Sequence, residues 1–150
     1  MSKSILLIHG PNLNLLGQRE PEIYGYKTLD DINADCIKLG KSLDVEVICA
    51  QENSEGAMID HIQAAMNTCN AIVINPAGYS HTSVVLRDAL VACGLPIYEI
   101  HISNIHKREE FRHYSYISGI AEGVICGLGT KGYELALLAA VEALEVDENG

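Results

Sequence analysis

Two pairs of side chains in this sequence have the types and spacing that acid–base chemistry requires. Arg19 precedes Tyr24 in a glycine-containing segment, and Glu99 lies two residues before His101. An unperturbed phenol has a pKa of about 10 and a nearby guanidinium favours the phenolate, so the first pair could supply a base near neutral pH. A carboxylate beside an imidazole orients the ring and favours its protonated form, so the second pair suits a general acid.

Both pairs also have ordinary structural interpretations. A tyrosine in a loop usually packs its ring and leaves its hydroxyl in water, and Tyr24 gains chemical interest only from the arginine near it. A histidine at the end of a strand is often a plain solvated residue, and His101 could be one. The two pairs are therefore hypotheses that depend on the fold bringing them to one place.

Other polar side chains lie in loops that could border the same site. Asn12 follows a Gly-Pro turn in a long segment that has neither a Walker A lysine nor a G-x-G-x-x-G pattern, so this segment is a poor phosphate cradle. Asn75 and His81 flank a turn-rich loop and offer neutral hydrogen-bonding groups. Asn-Pro and Gly also make ordinary turns, so this loop indicates ligand recognition only weakly.

The charged residues near the C-terminal half are harder to assign. Arg112 could bind an anion or could pair with Glu109 and Glu110 on a surface turn, and that pairing is the favoured interpretation for Arg108. Asp88 falls in the middle of a predicted helix, where a solvated face is the default interpretation.

The elements that position these residues follow from hydrophobic periodicity and turn signals. Thr28 with Asp31 resembles a capping box at the start of the first long helix, and Ser80 or Thr82 would cap the third. Predicted strands cover residues 4–8, 45–50, 71–74, 95–102 and 123–128, and predicted helices cover residues 29–43, 54–68, 82–94 and 130–144, the last followed by an acidic, solvated tail.

Five strands that alternate with helices predict an α/β fold with a doubly wound parallel sheet and helices on both faces. The commonest order for five strands is the flavodoxin-like 2-1-3-4-5, which binds ligands beyond the carboxyl ends of its strands at the point where the order reverses. Segments 10–27, 75–81 and 101–104 would meet there. Fold logic and composition thus select one site, with residues 17–25 as a gate.

Composition limits the function classes. The 150 residues carry 10 Lys plus Arg against 20 Asp plus Glu, a net charge of −10 that argues against nucleic-acid binding. No apolar run approaches the ~20 residues of a membrane span, and none resembles a signal-peptide core. Five widely spaced cysteines without a C-x-x-C pair predict reduced, buried thiols, and no Cys/His spacing indicates a metal site. We expect one domain over residues 1–150, cytoplasmic and independent of membranes.

Five stretches that span almost the whole chain form one pattern: IHGPNLNLLGQREPEIYG, QENSEG, INPAGYSHTSVVLRDAL, EIHISNIHKREEFRHYSYIS and GVICGLGTKGYELAL. Together they resemble the signature segments of the type II 3-dehydroquinate dehydratases. Their order and spacing are those of that family, so the resemblance is more specific than any single motif.

The resemblance implies a lyase that dehydrates 3-dehydroquinate to 3-dehydroshikimate, the third step of the shikimate pathway, without a cofactor or metal. In that pattern Tyr24 is the base that removes a proton next to the ketone, and Arg19 stabilises its phenolate. Asn12 helps to hold the enolate through a water. His101 protonates the departing hydroxyl, with Glu99 behind it.

The same resemblance implies how substrate and subunits are held. Asn75, His81 and Arg112 match ligands of the substrate hydroxyls, and Ile102 with Ser103 match the pair that receives the carboxylate. Asp88 matches a residue that reaches the site of a neighbouring subunit, in a homo-oligomer that is typically a dodecamer built from trimers.

Three alternatives stay open at this point. The same reaction could serve quinate breakdown, or the crevice could belong to another cofactor-free lyase or isomerase acting on a hydroxylated carboxylate. From a different class, the chain could be a flavodoxin-like module that binds flavin, phosphate or another small ligand.

Overall fold

The computed structural model describes residues 3–149 and arranges them around one parallel sheet in the order β2-β1-β3-β4-β5. This confirms the predicted flavodoxin-like topology. The strands are β1 Lys3–His9, β2 Val45–Gln51, β3 Ala71–Asn75, β4 Ile97–His101 and β5 Gly123–Cys126, and the helices are the one-turn α1 Pro21–Tyr24, then α2 Leu29–Ser42, α3 Glu55–Ala65, α4 Val84–Cys93 and α5 Lys131–Asn149.

The side chains of β1 alternate between two apolar layers, as the period of a strand requires. Ile5 and Leu7 pack in the layer under α2 and α5, whereas Leu6 and Ile8 pack in the layer under α3 and α4. Burial on both faces explains why this strand is a continuous apolar run rather than an alternating one. His9 continues the first side and faces α2 and α5.

The observed helix caps agree in part with those predicted from the sequence. Thr28 caps α2 and forms the predicted reciprocal capping box with Asp31, and Ser54 caps α3. The cap of α4 is Ser83, whose hydroxyl accepts from the Leu86 N–H, so the expectation of Ser80 or Thr82 was wrong. Residues 77–81 form a separate 3-10 turn that delays the start of this helix.

The C-terminal helix is longer than expected, because α5 continues through the acidic residues to Asn149. The fourth and fifth strands are shorter than their apolar runs, and they end at His101 and Cys126. Each of these differences moves an element boundary by a few residues, and none changes the order of the elements.

The cysteines are free, with Cys36, Cys69 and Cys93 buried and Cys49 and Cys126 partly exposed. Within residues 3–149 no helix is long and apolar enough to cross a membrane. Over the same range no three His, Cys, Asp or Glu side chains are grouped so that they could hold a metal ion.

Candidate functional site

A cavity of about 240 Å³ opens at the carboxyl edge of the sheet, beyond the ends of β1, β3 and β4. Parallel strands deliver their following loops to the same edge, so the three segments that the sequence singled out meet around it. The lining includes nine of the predicted site residues: Asn12, Arg19, Tyr24, Asn75, His81, His101, Ile102, Ser103 and Arg112.

The segment after β1 reaches the cavity wall at a residue in the left-handed backbone conformation. Asn12 has φ 72°, and its backbone N–H donates to Asn53 Oδ1 at 3.0 Å, which ties this loop to the loop after β2. Leu13 and Leu16 are buried in the core and anchor the turn that follows. These contacts hold Asn12 at the cavity wall, and the chain continues from there to α1.

Arg108 is the closest cationic partner of the Tyr24 hydroxyl. Arg108 Nη1 donates to the Tyr24 oxygen at 2.9 Å and to Ser103 Oγ at 3.3 Å. Its side chain is 16% exposed, so the contact lies in a poorly solvated place where a charge acts more strongly than in water. The Tyr24 oxygen thus accepts a charge-assisted hydrogen bond from a partly desolvated guanidinium.

Arg19 approaches the same tyrosine from another direction. Its guanidinium carbon lies 5.5 Å from the centre of the Tyr24 ring, in a cation–π position rather than at the hydroxyl. The side chain is 43% exposed and also pairs with Glu20 at 3.3 Å. Arg19 is therefore at the site as predicted, but in this structure it is the weaker of two cationic neighbours.

His101 is held from behind by a fully buried carboxylate. Its Nε2–H donates to Glu99 Oε2, which leaves Nδ1 for the cavity. Ser115 Oγ also donates to Glu99 Oε2 at 2.8 Å, and Ser118 Oγ donates to Oε1 at 2.6 Å. Both carboxylate oxygens are thus occupied, and the imidazole cannot turn without breaking a charge-assisted bond.

These contacts decide the charge of Glu99. Burial alone would raise the pKa of Glu99, but the hydrogen bond and charge of His101 and the two serine hydroxyls outweigh burial and hold this pKa below its usual range. Glu99 is accordingly a buried anion beside an imidazole, the arrangement that stabilises an imidazolium.

His81 forms the wall opposite α1. Its Nδ1–H donates to the Tyr114 carbonyl at 2.8 Å, and its ring stacks on that of His101 with centres 6.4 Å apart. Burial and the neighbouring charges of His101 and Arg112 lower the pKa of His81. His81 is thus a neutral ring whose Nε2 can accept a hydrogen bond.

Asn75 ends β3 and is 3% exposed, with its amide anchored at both ends. The oxygen accepts from the Ala77 N–H at 3.1 Å, and the nitrogen donates to the Tyr133 hydroxyl at 2.8 Å. Ile102 and Ser103 follow β4 directly and line the cavity. Arg112 pairs with Glu109 at 3.1 Å and also lines the cavity.

Comparisons with known proteins bear on this site. The family description "Dehydroquinase class II" matches residues 3–141. The chain belongs to the class II dehydroquinase family. A 3-dehydroquinate dehydratase of Tolumonas auensis is 55% identical over 145 residues, covering 97% of this chain and 95% of the relative, and one of Sodalis glossinidius is 58% identical over 140 residues, covering 93% of each.

A solved structure supports the same relation. The crystal structure of the type II dehydroquinase from Propionibacterium acnes superposes with a TM-score of 0.91 at 48% identity, covering 95% of this chain and 98% of that one. In this member of the class II dehydroquinase family the order of the strands in the sheet therefore belongs to a shared architecture.

Two predicted residues of this dehydroquinase chain lie outside the cavity wall. Glu99 sits behind His101, as expected for a supporting residue. Asp88 is exposed on α4 and does not line the cavity of its own chain. The structure thus leaves Asp88 without a place in a single-chain site.

The residue that sequence reasoning missed is Arg108, which was expected on a surface turn with its acidic neighbours. That pairing exists only as a long contact, with Arg108 Nε 3.8 Å from Glu109 Oε1. The main contacts of Arg108 are with Tyr24 and Ser103 instead. The only signal in the sequence was a net acidic chain with four arginines, each of which needed its own partner.

The ionised state of Glu99 predicts a pH-dependent stability. A folded-state pKa below the unfolded value of about 4.3 stabilises the fold at neutral pH, and this contribution is lost as the pH falls below about 4.3 and through the folded pKa. Glu99→Gln should lower the free energy of unfolding at pH 7 by about 2 kcal/mol. Urea unfolding at pH 7 and pH 3 should give a deficit that shrinks at the lower pH.

Glu46→Gln is the matched control, because Glu46 is exposed on β2 and only accepts a 3.5 Å bond from Ser4. It should change the unfolding free energy little at either pH. A deficit for Glu99→Gln that stays constant between pH 7 and pH 3 would contradict the ionised assignment.

Proposed function

We propose that this chain catalyses the dehydration of 3-dehydroquinate to 3-dehydroshikimate through an enolate, as a single catalytic domain. The observation that carries the proposal is that Tyr24 with its arginine and His101 with its carboxylate border one cavity. Membership of the class II dehydroquinase family and the names of the relatives support the same reaction. The reaction is the dehydration step of the shikimate pathway.

The first step is removal of a proton from the carbon next to the ketone. The Tyr24 phenolate accepts this proton, and the electron pair of the C–H bond moves onto the carbonyl oxygen to form the enolate. Arg108 stabilises the phenolate directly, and Arg19 adds positive charge over the ring. Asn12, at the cavity wall, helps to hold the enolate oxygen.

The second step expels the hydroxyl group as water. The enolate electrons return to form the carbon–carbon double bond, the C–O bond breaks, and His101 donates its proton to the departing oxygen. Glu99 supports this acid because its carboxylate accepts the Nε2–H bond and holds the imidazole in one orientation. Atoms balance, since the proton taken by Tyr24 and the proton given by His101 exchange with solvent after each turnover.

Substrate binding uses the remaining lining residues. In the proposed complex Asn75, His81 and Arg112 bind the substrate hydroxyl groups, and Ile102 with Ser103 receives the carboxylate. The support for these roles is that all five residues line the cavity. A few cations concentrated at one cavity let a chain of net charge −10 attract a small anion.

The assembly we propose is a homo-oligomer, a dodecamer built from trimers, in which Asp88 completes a neighbour's site. Val84, Val85 and Val91 are 51%, 53% and 57% exposed on α4, and Val84, Asp88 and Val91 recur at the spacing of one helical face. An apolar stripe around a carboxylate that does not reach its own cavity suits contact with a second copy of the chain.

We also propose a cytoplasmic location. Its support is that Cys36, Cys49, Cys69, Cys93 and Cys126 are all unpaired thiols, the state that a reducing compartment maintains.

Replacing the base or the acid should remove most turnover and leave the fold intact. Tyr24→Phe deletes the proton acceptor and His101→Ala deletes the proton donor, and each should lower kcat by about 10²- to 10⁴-fold. Turnover is followed by the ultraviolet absorbance of the conjugated product, and folding is checked by circular dichroism.

Tyr26→Phe is the matched control, because Tyr26 is 80% exposed and lies only two residues from Tyr24. It should turn over substrate normally. Near-normal kcat in Tyr24→Phe would reject the assigned base.

The two arginines should differ in their effect on the pH profile. Removing Arg108 deletes the direct hydrogen bond to the phenolic oxygen, so the acidic limb of the kcat profile in Arg108→Ala should move to higher pH. Arg19→Ala should lower activity and move the same limb in the same direction by less, because Arg19 contacts the ring and is more exposed. Profiles of kcat from pH 5 to 10 measure both.

Lys107→Ala removes an exposed charge beside Arg108 and serves as the control that should leave the limb in place. A larger displacement for Arg19→Ala than for Arg108→Ala would reverse the assigned order of the two cations.

Active-site complementation tests the intersubunit role of Asp88. Asp88→Asn and Tyr24→Phe chains should each be poorly active alone, but subunit exchange should restore roughly a quarter of the sites, where an intact Tyr24 meets a neighbour's intact Asp88. Exchange with the Tyr24→Phe/Asp88→Asn double variant should restore nothing. Mixed oligomers without recovered turnover, or a fully active monomer in light scattering, would reject the role.

A further inference from the structure

A line of buried hydrogen bonds leads from the cavity wall through the core to the surface of α2. Asn75 Nδ2 lies 2.8 Å from the Tyr133 hydroxyl, Tyr133 lies 3.4 Å from His9 Nδ1, and His9 Nε2 lies 2.8 Å from Asn33 Oδ1. Tyr133 and His9 are both 0% exposed. The proposed reaction uses neither of these two polar side chains, yet burying them is costly unless each is satisfied.

Donors and acceptors fix one direction along this line. The Asn33 oxygen can only accept, so His9 Nε2 carries the ring hydrogen. Burial lowers the pKa of His9 to about 4, so the ring is neutral and its Nδ1 is an acceptor. The Tyr133 hydroxyl then donates to His9 and offers its lone pairs to Asn75. Each bond in the line donates away from the cavity.

The direction determines what Asn75 presents to a ligand. Its amide oxygen already accepts from the Ala77 N–H, and one of its two N–H bonds is on Tyr133. One N–H therefore remains for the cavity that Asn75 lines. A reversed amide would place its oxygen against the Tyr133 lone pairs and its nitrogen against the Ala77 N–H, which is repulsive at both ends.

We infer that the Tyr133 hydroxyl, supported by His9 and Asn33, is a positioning group that holds the Asn75 amide with an N–H toward the substrate. This inference rests on the proposed role of Asn75 as a ligand of a substrate hydroxyl. Tyr133 itself does not line the cavity, so its effect on the reaction passes through Asn75 alone.

Tyr133→Phe tests the inference because it removes one oxygen and keeps the ring. With only the Ala77 N–H bond left to hold it, the amide should turn out of its position or take more than one orientation in a crystal structure of the variant at 1.2 Å or better. In steady-state kinetics, KM for dehydroquinate should rise about three- to tenfold with kcat changed less than twofold, since a hydrogen bond present in both ground and transition states is weakened.

Two comparisons separate positioning from general damage to the core. Tyr98→Phe removes the hydroxyl of another tyrosine that packs in the same apolar layer, and it should leave KM and the Asn75 amide unchanged. In an Asn75→Ala background, Tyr133→Phe should add no further rise in KM, because the group it positions is gone. Thermal unfolding of each variant reports its folding.

The outcomes distinguish this inference from the proposed function. An unchanged Asn75 amide in Tyr133→Phe, an unchanged KM, or a rise in KM that adds fully to that of Asn75→Ala would overturn the positioning role. Absence of dehydroquinate turnover in the unmodified chain would overturn the proposed function, and the amide orientation would still decide the role of Tyr133.

Discussion

The hydrogen bond from Arg108 to the Tyr24 oxygen joins two segments that the sheet does not hold. Tyr24 belongs to the single helical turn α1, and Arg108 lies in the long connection between β4 and β5. The strands supply one wall of the cavity, with Asn75 and His101 at their carboxyl ends. The two outlying segments supply another part of the lining, and the contact between the guanidinium and the phenol joins them there.

The charged side chains that border the cavity are opposite in sign to the net charge of the chain. The chain is strongly acidic, yet the cavity is bordered by Arg19, Arg108 and Arg112. Glu99, the buried acid behind the cavity, has both carboxylate oxygens occupied by hydrogen bonds from an imidazole and two serine hydroxyls. Negative charge on the rest of the protein repels anions, and the arginines at the cavity attract an anion to that place.

The order of the elements could be predicted from sequence because each depends on nearby residues. The apolar run of β1 and the Thr28–Asp31 capping box are local patterns, and both form as expected. Most of the site was accessible too, since carboxyl ends of parallel strands share an edge. Arg108 was missed because its acidic neighbours predict a local ion pair, whereas its main partner is 84 residues away. Tyr133 could not be identified from the sequence, because it lies among the apolar residues of α5 and the partners of its hydroxyl come from strands that are distant in sequence.

The serine bonds to Glu99 tie two parts of the site to one carboxylate. Ser115 and Ser118 fasten the connection between β4 and β5 to β4 itself, through the same carboxylate that orients His101. That connection also carries Arg108 and Arg112. A substitution that removes this anion would therefore release His101 and the connection that carries both arginines at the same time, so neither can be altered separately at position 99.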